Sequence, residues 1–462
     1  MQQNIKQRSN INEREKNGYV HSWIYIDGGS FDSVWKYKAK QTGSSLMQDF
    51  SHYAKKCIEM RVIMKDDKKL RIGLFTDIYY PSISGVVIAV ENLKKALEKY
   101  GNCKVFIITV NSFPKNNKYI KKDDVIRIPG LPINVYDYKI RITYPVKAVK
   151  MIKDLHLDLI HSNTEFGIGL FAKSMAKKFD IPMVHTYHSL YEQNLDTMLD
   201  HFTSKVTKSI LKSYMKVYFS KTIKEVIVPS LKTKNNIIKN YKVKHNISII
   251  PSGIDIDKFN IDNIKKSKIK EIKKKYNIKD DDFISLSVSR LGKEKNVDFL
   301  IESYVNVVKK HKNAKLLIIG TGPLEKELKE LAKKLNIFDN CIFTGKVDYQ
   351  DIPIFYNISN VLLTASHYET QGLTLMEAFS SSKPVLCIND ESFIDVVING
   401  YNGYIFKNKS ELTQLILKLI EDKRLLENLE NNAKISSNNY SLSCFASKVK
   451  DVYIKALKEY TV

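Results

Sequence analysis

Cysteine is scarce in this chain, and its few positions are far apart. The 462 residues contain five cysteines, and no two of them form a C-x-x-C pair. Because disulfide frameworks and zinc sites need regularly or closely spaced cysteines, this usage excludes both as organising features. A reducing cytoplasm is the expected setting.

Long apolar runs are also missing. No segment approaches the roughly 18 apolar residues that a membrane-spanning helix requires. The polar start, MQQNIKQRSNINEREKNG, has none of the apolar core that a secretory signal carries. We therefore expect a protein that is neither exported nor embedded in a membrane.

Acidic residues are few beside the basic ones. The sequence has 74 Lys and Arg against 50 Asp and Glu, a formal net charge of +24. This excess predicts attraction to an anionic partner, such as nucleic acid, an acidic membrane surface or a phosphorylated substrate. Charge alone does not choose among these three.

The order of strand and helix patterns predicts two large domains and two appendages. Buried strands alternate with amphipathic helices from RIGLF onward, and the alternation restarts after SIIPSGIDIDKF. This pattern is typical of parallel sheets covered by helices on both faces, an α/β fold. We expect an N-terminal extension of unknown role over 1–68, an α/β domain over 69–226, a second over 227–435, and a C-terminal helix over 436–462 that returns to the first domain.

The fold class also predicts where ligands bind. Two doubly wound domains in tandem present the carboxyl ends of their strands to a shared cleft, where loops and helix N-termini collect ligands. We therefore expect the functional site between the two domains.

The segment YETQGLTLMEAF sets two glutamates eight positions apart after a predicted strand. Glu369 is expected in the loop facing the cleft, and Glu377 about one turn into the following helix. Carboxylates accept hydrogen bonds from sugar hydroxyls, whereas free N–H groups at a helix N-terminus bind phosphate. These two kinds of group together predict a sugar-nucleotide site. The first turn of the helix contains Gly372, Leu373 and Thr374.

A second element, SVSRLGKEKNVDF, places Arg290 and Lys295 between a strand and a helix. A guanidinium and an ammonium in this position can bind one diphosphate, and their charge would offset that of a leaving nucleoside diphosphate. In a lysine-rich chain, this spacing alone also fits solvated surface charge. Its occurrence at a strand end, like the glutamate element, favours the functional interpretation.

These elements, in this order, resemble those of retaining glycosyltransferases of the GT-B fold, family 4. The likeness rests on SRLGKEKN, on GTGP at 320–323 and on ETQGLTLME, and it covers about 69–462. It implies two Rossmann-like domains facing a central cleft, a nucleotide-diphosphate sugar as donor, and no required metal or cofactor. It also implies contacts from Glu369 to the donor sugar, from Glu377 to the ribose, and from Arg290 and Lys295 to the diphosphate.

The N-terminal half narrows the resemblance. RIGLFTDIYYPSISGVV, HSNTEFGIG and IPMVHTYHSLYEQ are similar to segments of bacterial diacylglycerol glucosyltransferases, which make monoglucosyldiacylglycerol from UDP-glucose. Many members have Gly-Gly where this chain has Ser84-Gly85, and Gly85 is expected to keep the backbone approach to phosphate through unusual torsions. His188 matches the active-site histidine and is expected to orient or stabilise, in a front-face displacement. His161 and His185 are expected to pack within the sheet.

The segment 201–224 contains no acidic residue. Lys208, Lys212 and Lys216 form one stripe of a predicted helix. A basic amphipathic helix binds an anionic bilayer, and each lysine near the surface contributes about 1 kcal/mol. A helix whose apolar stripe packs in the domain core fits the same pattern, so both interpretations stay open. The apolar stripe consists of Val206, Ile210, Tyr214 and Val217.

Four hypotheses follow, and the leading one is a lipid glucosyltransferase. It would transfer glucose from UDP-glucose to diacylglycerol or another lipid at the cytoplasmic face of the cell membrane, bind an anionic membrane surface, and bind no nucleic acid. A family-4 enzyme with a soluble or polysaccharide acceptor would use the same donor but ignore vesicles, and an epimerase would need no acceptor. A basic nucleic-acid-binding protein would explain the charge but not the phosphate loops. Residues 1–63, before Met64, are expected to be dispensable.

Overall fold

The structure is a computed structural model that describes residues 69–82, 84–111, 119–129, 134–135, 138–139, 146–191 and 201–460. From Lys69 onward, the described residues belong to one compact unit. The N-terminal extension, and with it the expectation that residues 1–63 are dispensable, lies outside the described residues.

The first domain is built on a mostly parallel sheet. Its strands are β1 (Leu70–Thr76), β2 (Cys103–Asn111), β3 (Ile120–Lys122), β4 (Val125–Pro129), β7 (Leu159–Ser162), β8 (Met183–Thr186), β9 (Ile223–Val228) and β10 (Asn246–Ile249). A separate antiparallel pair consists of β5 (Asn134–Val135) and β6 (Tyr138–Lys139). Within the described ranges, the strand order is β10-β9-β8-β7-β1-β2-β4-β3, and the pairings in this sheet are parallel except that of β3 with β4.

Helices cover both faces of this sheet. They are α1 (Gly85–Tyr100), α2 (Val146–Lys153), α3 (Gly167–Phe179), α4 (His201–Tyr218) and α5 (Leu231–Tyr241). Strand β1 is buried throughout its second half because helices pack on both of its sides, so its sequence is apolar without alternation. In α1, the residues that recur at helical spacing face the core: Val87, Val90, Leu93, Ala96 and Leu97.

The second domain repeats the architecture with a fully parallel sheet. Its strands are β11 (Phe283–Val288), β12 (Ala314–Ile319), β13 (Cys341–Gly345), β14 (Val361–Thr364), β15 (Val385–Ile388) and β16 (Gly403–Phe406), in the order β13-β12-β11-β14-β15-β16. Its helices are α6 (Ile256–Phe259), α7 (Lys266–Lys275), α8 (Val297–Lys310), α9 (Glu325–Lys334), α10 (Ile352–Asn357), α11 (Leu373–Ser380), α12 (Lys409–Glu421) and α13 (Lys423–Ser437). Together the two sheets form the doubly wound α/β pair that the sequence predicts.

The boundary between the sheets lies later than the sequence analysis placed it. A division between 226 and 227 would cut through β9, which is buried between β8 and β10 in the first sheet. Helix α5 and strand β10 add one more strand–helix–strand unit to the first domain. The first domain therefore extends through Ile249, because the break in the alternation is the Pro-Ser-Gly loop that follows β10.

The last helix, α14 (Leu442–Tyr460), returns to the first domain. Its apolar face shares a buried cluster with residues of β1 and α1, among them Ile72 and Leu97. Phe445 and Tyr453 are two of its contributions to that cluster. The chain thus crosses between the domains a second time, beside the first crossing, where the backbone N–H of Ile254 donates to the carbonyl of Tyr440 at 2.7 Å.

Candidate active site

A cavity of about 360 Å³ lies between the two domains, at the carboxyl ends of their strands. The loops after β1 and β8 bring residues from the first domain, and the loops after β11 and β14 bring residues from the second. This is the edge at which doubly wound folds bind ligands. The predicted site residues in its wall are Gly85, His188, Arg290, Lys295, Glu369, Gly372, Leu373 and Thr374.

Two helix N-termini meet at this cavity. Helix α1 begins after Ser84, whose Oγ accepts a hydrogen bond from the backbone N–H of Val87 at 3.3 Å. Helix α11 begins after Gly372, which has a φ of +74°. Free N–H groups and the positive ends of both helix dipoles therefore converge where an anionic group would bind.

Of the two glycines at these N-termini, Gly372 is required by its backbone conformation and Gly85 is not. A β-carbon on Gly372 would lie 2.9 Å from the ring of Phe393, in a left-handed backbone conformation that favours glycine. Gly85 does not have a positive φ, and a β-carbon there would only touch Leu373 at 3.8 Å. The expectation that Gly85 is needed for unusual torsions is therefore wrong, since alanine fits its backbone and surroundings.

The GTGP segment fixes the loop that carries Arg290. Gly320 has a φ of +130°, and a β-carbon on it would lie 1.9 Å from the carbonyl oxygen of Ser289. The backbone N–H of Leu291 donates to the carbonyl of Thr321 at 3.0 Å. Close backbone packing of this kind requires glycine, so the motif positions the basic loop. The Arg290 side chain itself is 60% exposed, with Nε 3.6 Å from a carboxylate oxygen of Glu294.

Lys295 and Glu369 form an ion pair across the cavity wall. The Lys295 Nζ donates to Glu369 Oε1 at 2.5 Å, and both side chains are largely shielded from solvent. Two elements that lie 74 positions apart in the sequence are thus brought together. The pair offers a cation for a diphosphate beside an acceptor for sugar hydroxyls, which is the combination that a sugar nucleotide requires.

Glu377 lies behind the cavity wall. It is 4% exposed, and its Oε2 accepts a hydrogen bond from the hydroxyl of Tyr356 at 2.8 Å. Burial raises the pKa of Glu377 to about 7, an effect that the hydrogen bonds from Tyr356 and Tyr349 oppose. Of the predicted cleft residues, it is the one whose side chain does not line the cavity. A contact with a ribose stays a prediction.

His188 is held by an asparagine that the sequence analysis did not single out. Its Nε2 lies 3.1 Å from Oδ1 of Asn163, a residue that is 2% exposed. Burial, with a smaller effect from nearby His185, lowers the pKa of His188 to about 3, so the imidazole is neutral at physiological pH. Because an amide oxygen only accepts, Nε2 carries the proton and Nδ1 keeps a lone pair.

The other two histidines are buried in the sheet, as expected. His161 lies between the hydroxyls of Tyr453 and Thr186, at 2.7 and 2.6 Å. His185 Nε2 lies 3.1 Å from Oε1 of Glu165, and its Nδ1 lies 2.7 Å from Oγ of Ser162. These contacts account for their polar atoms without a ligand.

Helix α4 presents an apolar and basic face to solvent. Val206, Ile210 and Val217 are 47%, 66% and 72% exposed. The opposite side is anchored: Met215 is buried, and the hydroxyl of Tyr214 donates to the carbonyl of Glu165 at 2.5 Å. Three of the four residues in the apolar stripe are thus exposed, and Tyr214 alone of the four packs against the domain. The interpretation in which the whole stripe packs in the core is therefore wrong. Of the predicted lysines, Lys216 is exposed, and the half-buried ones are Lys208 and Lys212.

Neither a membrane-spanning helix nor a cluster of metal ligands is found among the described residues. There, no helix is long and apolar enough to cross a membrane. Nor, over the same ranges, do three or more His, Cys, Asp or Glu side chains gather as a metal ion would require. Independence from metal and cofactor stays a prediction.

The chain matches glycosyltransferase family models over both of its domains. The family model "Glycosyltransferase Family 4" matches residues 83–258, and "Glycosyl transferases group 1" matches residues 268–436. The chain is 34% identical to an alpha-monoglucosyldiacylglycerol synthase of Acholeplasma laidlawii, over 83% of this chain and 97% of that protein. It is 32% identical to an enzyme of the same name from Streptococcus pneumoniae, over 84% and 86%.

Solved structures share the fold at lower sequence identity. Sucrose-phosphate synthase from Thermosynechococcus elongatus superposes with a TM-score of 0.66 at 19% identity, over 85% of this chain and all of that one. Anabaena HepE in complex with UDP-glucose gives 0.63 at 16%, over 84% and 100%. The chain therefore has the GT-B fold, belongs to the family 4 and group 1 glycosyltransferases, and resembles the alpha-monoglucosyldiacylglycerol synthases.

Proposed function

We propose that this glycosyltransferase transfers glucose from UDP-glucose to diacylglycerol, with retention of the anomeric configuration, at the cytoplasmic face of the cell membrane. The observation that carries the proposal is the ion pair of Lys295 and Glu369 between two helix N-termini. The names of two relatives that align over most of their length support glucose and diacylglycerol as the transferred sugar and the acceptor.

The cavity provides the groups that the reaction needs on the donor side. Lys295 and the exposed Arg290 would bind the diphosphate and neutralise the negative charge that grows on it as the bond from glucose to the diphosphate breaks. Glu369 would accept hydrogen bonds from hydroxyls of the glucose and fix its orientation. Backbone N–H groups of α1 and α11 would add further donors to the phosphates.

A front-face displacement fits this arrangement. The bond between C1 of glucose and the diphosphate oxygen breaks, the primary hydroxyl of diacylglycerol attacks from the same side, and its proton passes to the leaving diphosphate oxygen. His188 is neutral, so it would not attract the diphosphate as a cation. Its Nδ1 would instead accept a hydrogen bond from a hydroxyl in the cleft and orient it.

Helix α4 is our candidate for the membrane contact. Its exposed valines and isoleucine would enter the interface, and Lys208, Lys212 and Lys216 would interact with anionic headgroups. Changing the three lysines to Glu should abolish vesicle binding in a flotation assay, and raised salt should weaken the wild type. Changing Ile210 to Ser, which keeps the charge, should weaken vesicle binding at every salt concentration and leave its decline with salt in place. Unchanged flotation of the triple variant would exclude α4 as the contact.

The function is tested with a panel of donors and acceptors. Purified full-length protein is incubated with labelled UDP-glucose, other nucleotide sugars, diacylglycerol vesicles and soluble sugars, and the products are separated by thin-layer chromatography. We expect a labelled glycolipid from UDP-glucose. Label in a soluble saccharide would favour a soluble acceptor, and an altered nucleotide sugar without transfer would favour an epimerase.

A further inference from the structure

The loop that carries Glu369 is held from two sides. On the second-domain side, the Asn296 amide donates to the carbonyl of Ala365 at 3.0 Å. The Ser366 hydroxyl donates to the carbonyl of Glu294 at 3.2 Å. These bonds attach the start of the loop to the segment that carries Lys295.

The rest of the loop is held by the first domain. Lys232 Nζ, at the start of α5, donates to the carbonyl of His367 at 2.9 Å. The Ser230 hydroxyl donates to the carbonyl of Thr370 at 2.5 Å. The backbone carbonyls on both sides of Glu369 therefore bond to first-domain side chains, so the position of this carboxylate depends on both domains.

An ion pair lies at the centre of this contact. Lys232 Nζ donates to the two carboxylate oxygens of Asp390, which follows β15 in the second domain, at 2.7 and 2.8 Å. Each side chain is 10% exposed. Asp390 Oδ1 also accepts a hydrogen bond from the backbone N–H of Ser392 at 2.9 Å, which fixes its orientation. The pair joins the two domains directly, and removing either partner would leave the other charge shielded and unpaired, which is unfavourable.

A second contact holds the end of the same loop. The Gln371 side chain accepts from the backbone N–H of Ser252 at 2.9 Å and donates to the carbonyl of Ser252 at 3.2 Å. Gln371 is 4% exposed and directly precedes Gly372, where α11 begins. The N-terminus of α11 is thus fixed by the segment that follows β10 and links the two domains.

We propose that Lys232 and Asp390 are positioning residues: they dock the first domain on the 367–371 loop and so hold Glu369 where it meets the sugar of a nucleoside diphosphate sugar. This inference rests on the proposed function, which assigns Glu369 to the donor sugar. The donor site is complete only while the domains are docked, because Ser230 and Lys232 of the first domain bond to the loop backbone on both sides of Glu369.

The test compares Lys232→Met and Asp390→Asn with Lys232→Arg in the full-length protein. Lys232→Met keeps the apolar stem and removes the ammonium, whereas Lys232→Arg keeps the charge. A matched control is Lys383→Met, which removes a partly shielded ion pair with Glu430 at 3.2 Å, inside the second domain and away from the cavity. Each variant is measured for kcat and donor KM with UDP-glucose and diacylglycerol, and for its radius of gyration by small-angle X-ray scattering without substrate.

We expect Lys232→Met and Asp390→Asn to lower kcat by about 10- to 100-fold with little change in donor KM, since the diphosphate contacts remain and only the sugar contact moves. Both should also increase the radius of gyration. Lys232→Arg should recover most of kcat, and Lys383→Met should behave as wild type.

Two results would overturn the proposal. An unchanged radius of gyration in Lys232→Met refutes the docking role, and an unchanged kcat refutes the positioning role. Should that variant fail to fold, the double variant Lys232→Met/Asp390→Asn leaves no uncompensated charge and is predicted to be open and slow. Absence of glucosyl transfer by the wild type would refute the proposed function instead, while the scattering comparison still tests the docking.

Discussion

Replacing Lys295 by Ala is the sharpest perturbation of the donor site. The change removes the ammonium that lies 2.5 Å from Glu369 and that is expected to contact the leaving diphosphate. A preorganised charge that acts on a developing anion is worth about 2.7–4 kcal/mol, because the site is shielded from water. We therefore expect kcat to fall by about 10²–10³-fold.

The same variant should weaken donor binding for a second reason. Without Lys295, the carboxylate of Glu369 has lost its counter-ion and repels the diphosphate. In the double variant Lys295→Ala/Glu369→Gln, the repulsion disappears, so donor KM should fall below that of the single variant while kcat stays low. The two effects are thus separable in one kinetic series.

The assay measures transfer of labelled glucose from UDP-glucose to diacylglycerol in vesicles, over a range of donor concentrations. Lys293→Ala is a matched control, since Lys293 is exposed two positions away and does not line the cavity. Circular dichroism checks that each variant is folded. Near-normal turnover of Lys295→Ala would refute the assignment of this lysine to the diphosphate.

Three further variants test separate features. Gly320→Ala should destabilise the protein by about 1–3 kcal/mol in urea unfolding, since its β-carbon would meet the carbonyl of Ser289, and an unaffected midpoint would refute this role. Asn163→Asp places a negative charge beside His188 and should raise its pKa from about 3, so that the acid limb of the kcat–pH profile moves to higher pH. An unmoved limb would mean that this contact does not set the pKa of the imidazole. Glu377→Gln should flatten the pH dependence of the free energy of unfolding. The carboxyl of Glu377 has a pKa of about 7 in the folded protein and an ordinary value of 4.5, so its stabilising contribution is complete below pH 4.5 and about 3 kcal/mol of it is lost as the pH rises through 7. Equal slopes of unfolding free energy against pH in the wild type and the variant would contradict the burial of this carboxyl.

Much of the fold could be predicted from the sequence because its signals are local. Each strand–loop–helix unit has its own apolar pattern, and Val87 to Leu97 recur at a spacing that only a helix brings to one face. The domain boundary was misplaced because β10 is four residues long and follows the lysine- and asparagine-rich α5, so the last unit of the first domain gives a weak signal.

The candidate site was predictable to the extent that strand ends define it. Arg290, Lys295 and Glu369 each follow a strand, and carboxyl ends of parallel strands meet at one edge. The orientation of Glu377 was not predictable, because it depends on a tyrosine of another helix. Lys232 and its partner are 158 positions apart, and no local pattern relates them.

The stereochemistry of the product tests the central claim most directly. Purified protein is incubated with UDP-glucose labelled with ¹³C at C1 and with diacylglycerol in vesicles, and the glycolipid is examined by NMR at the anomeric carbon. A retaining glucosyltransferase gives glucosyldiacylglycerol with the α configuration of the donor. A β-linked glycolipid, or label recovered only as free glucose or in a water-soluble saccharide, would contradict the account.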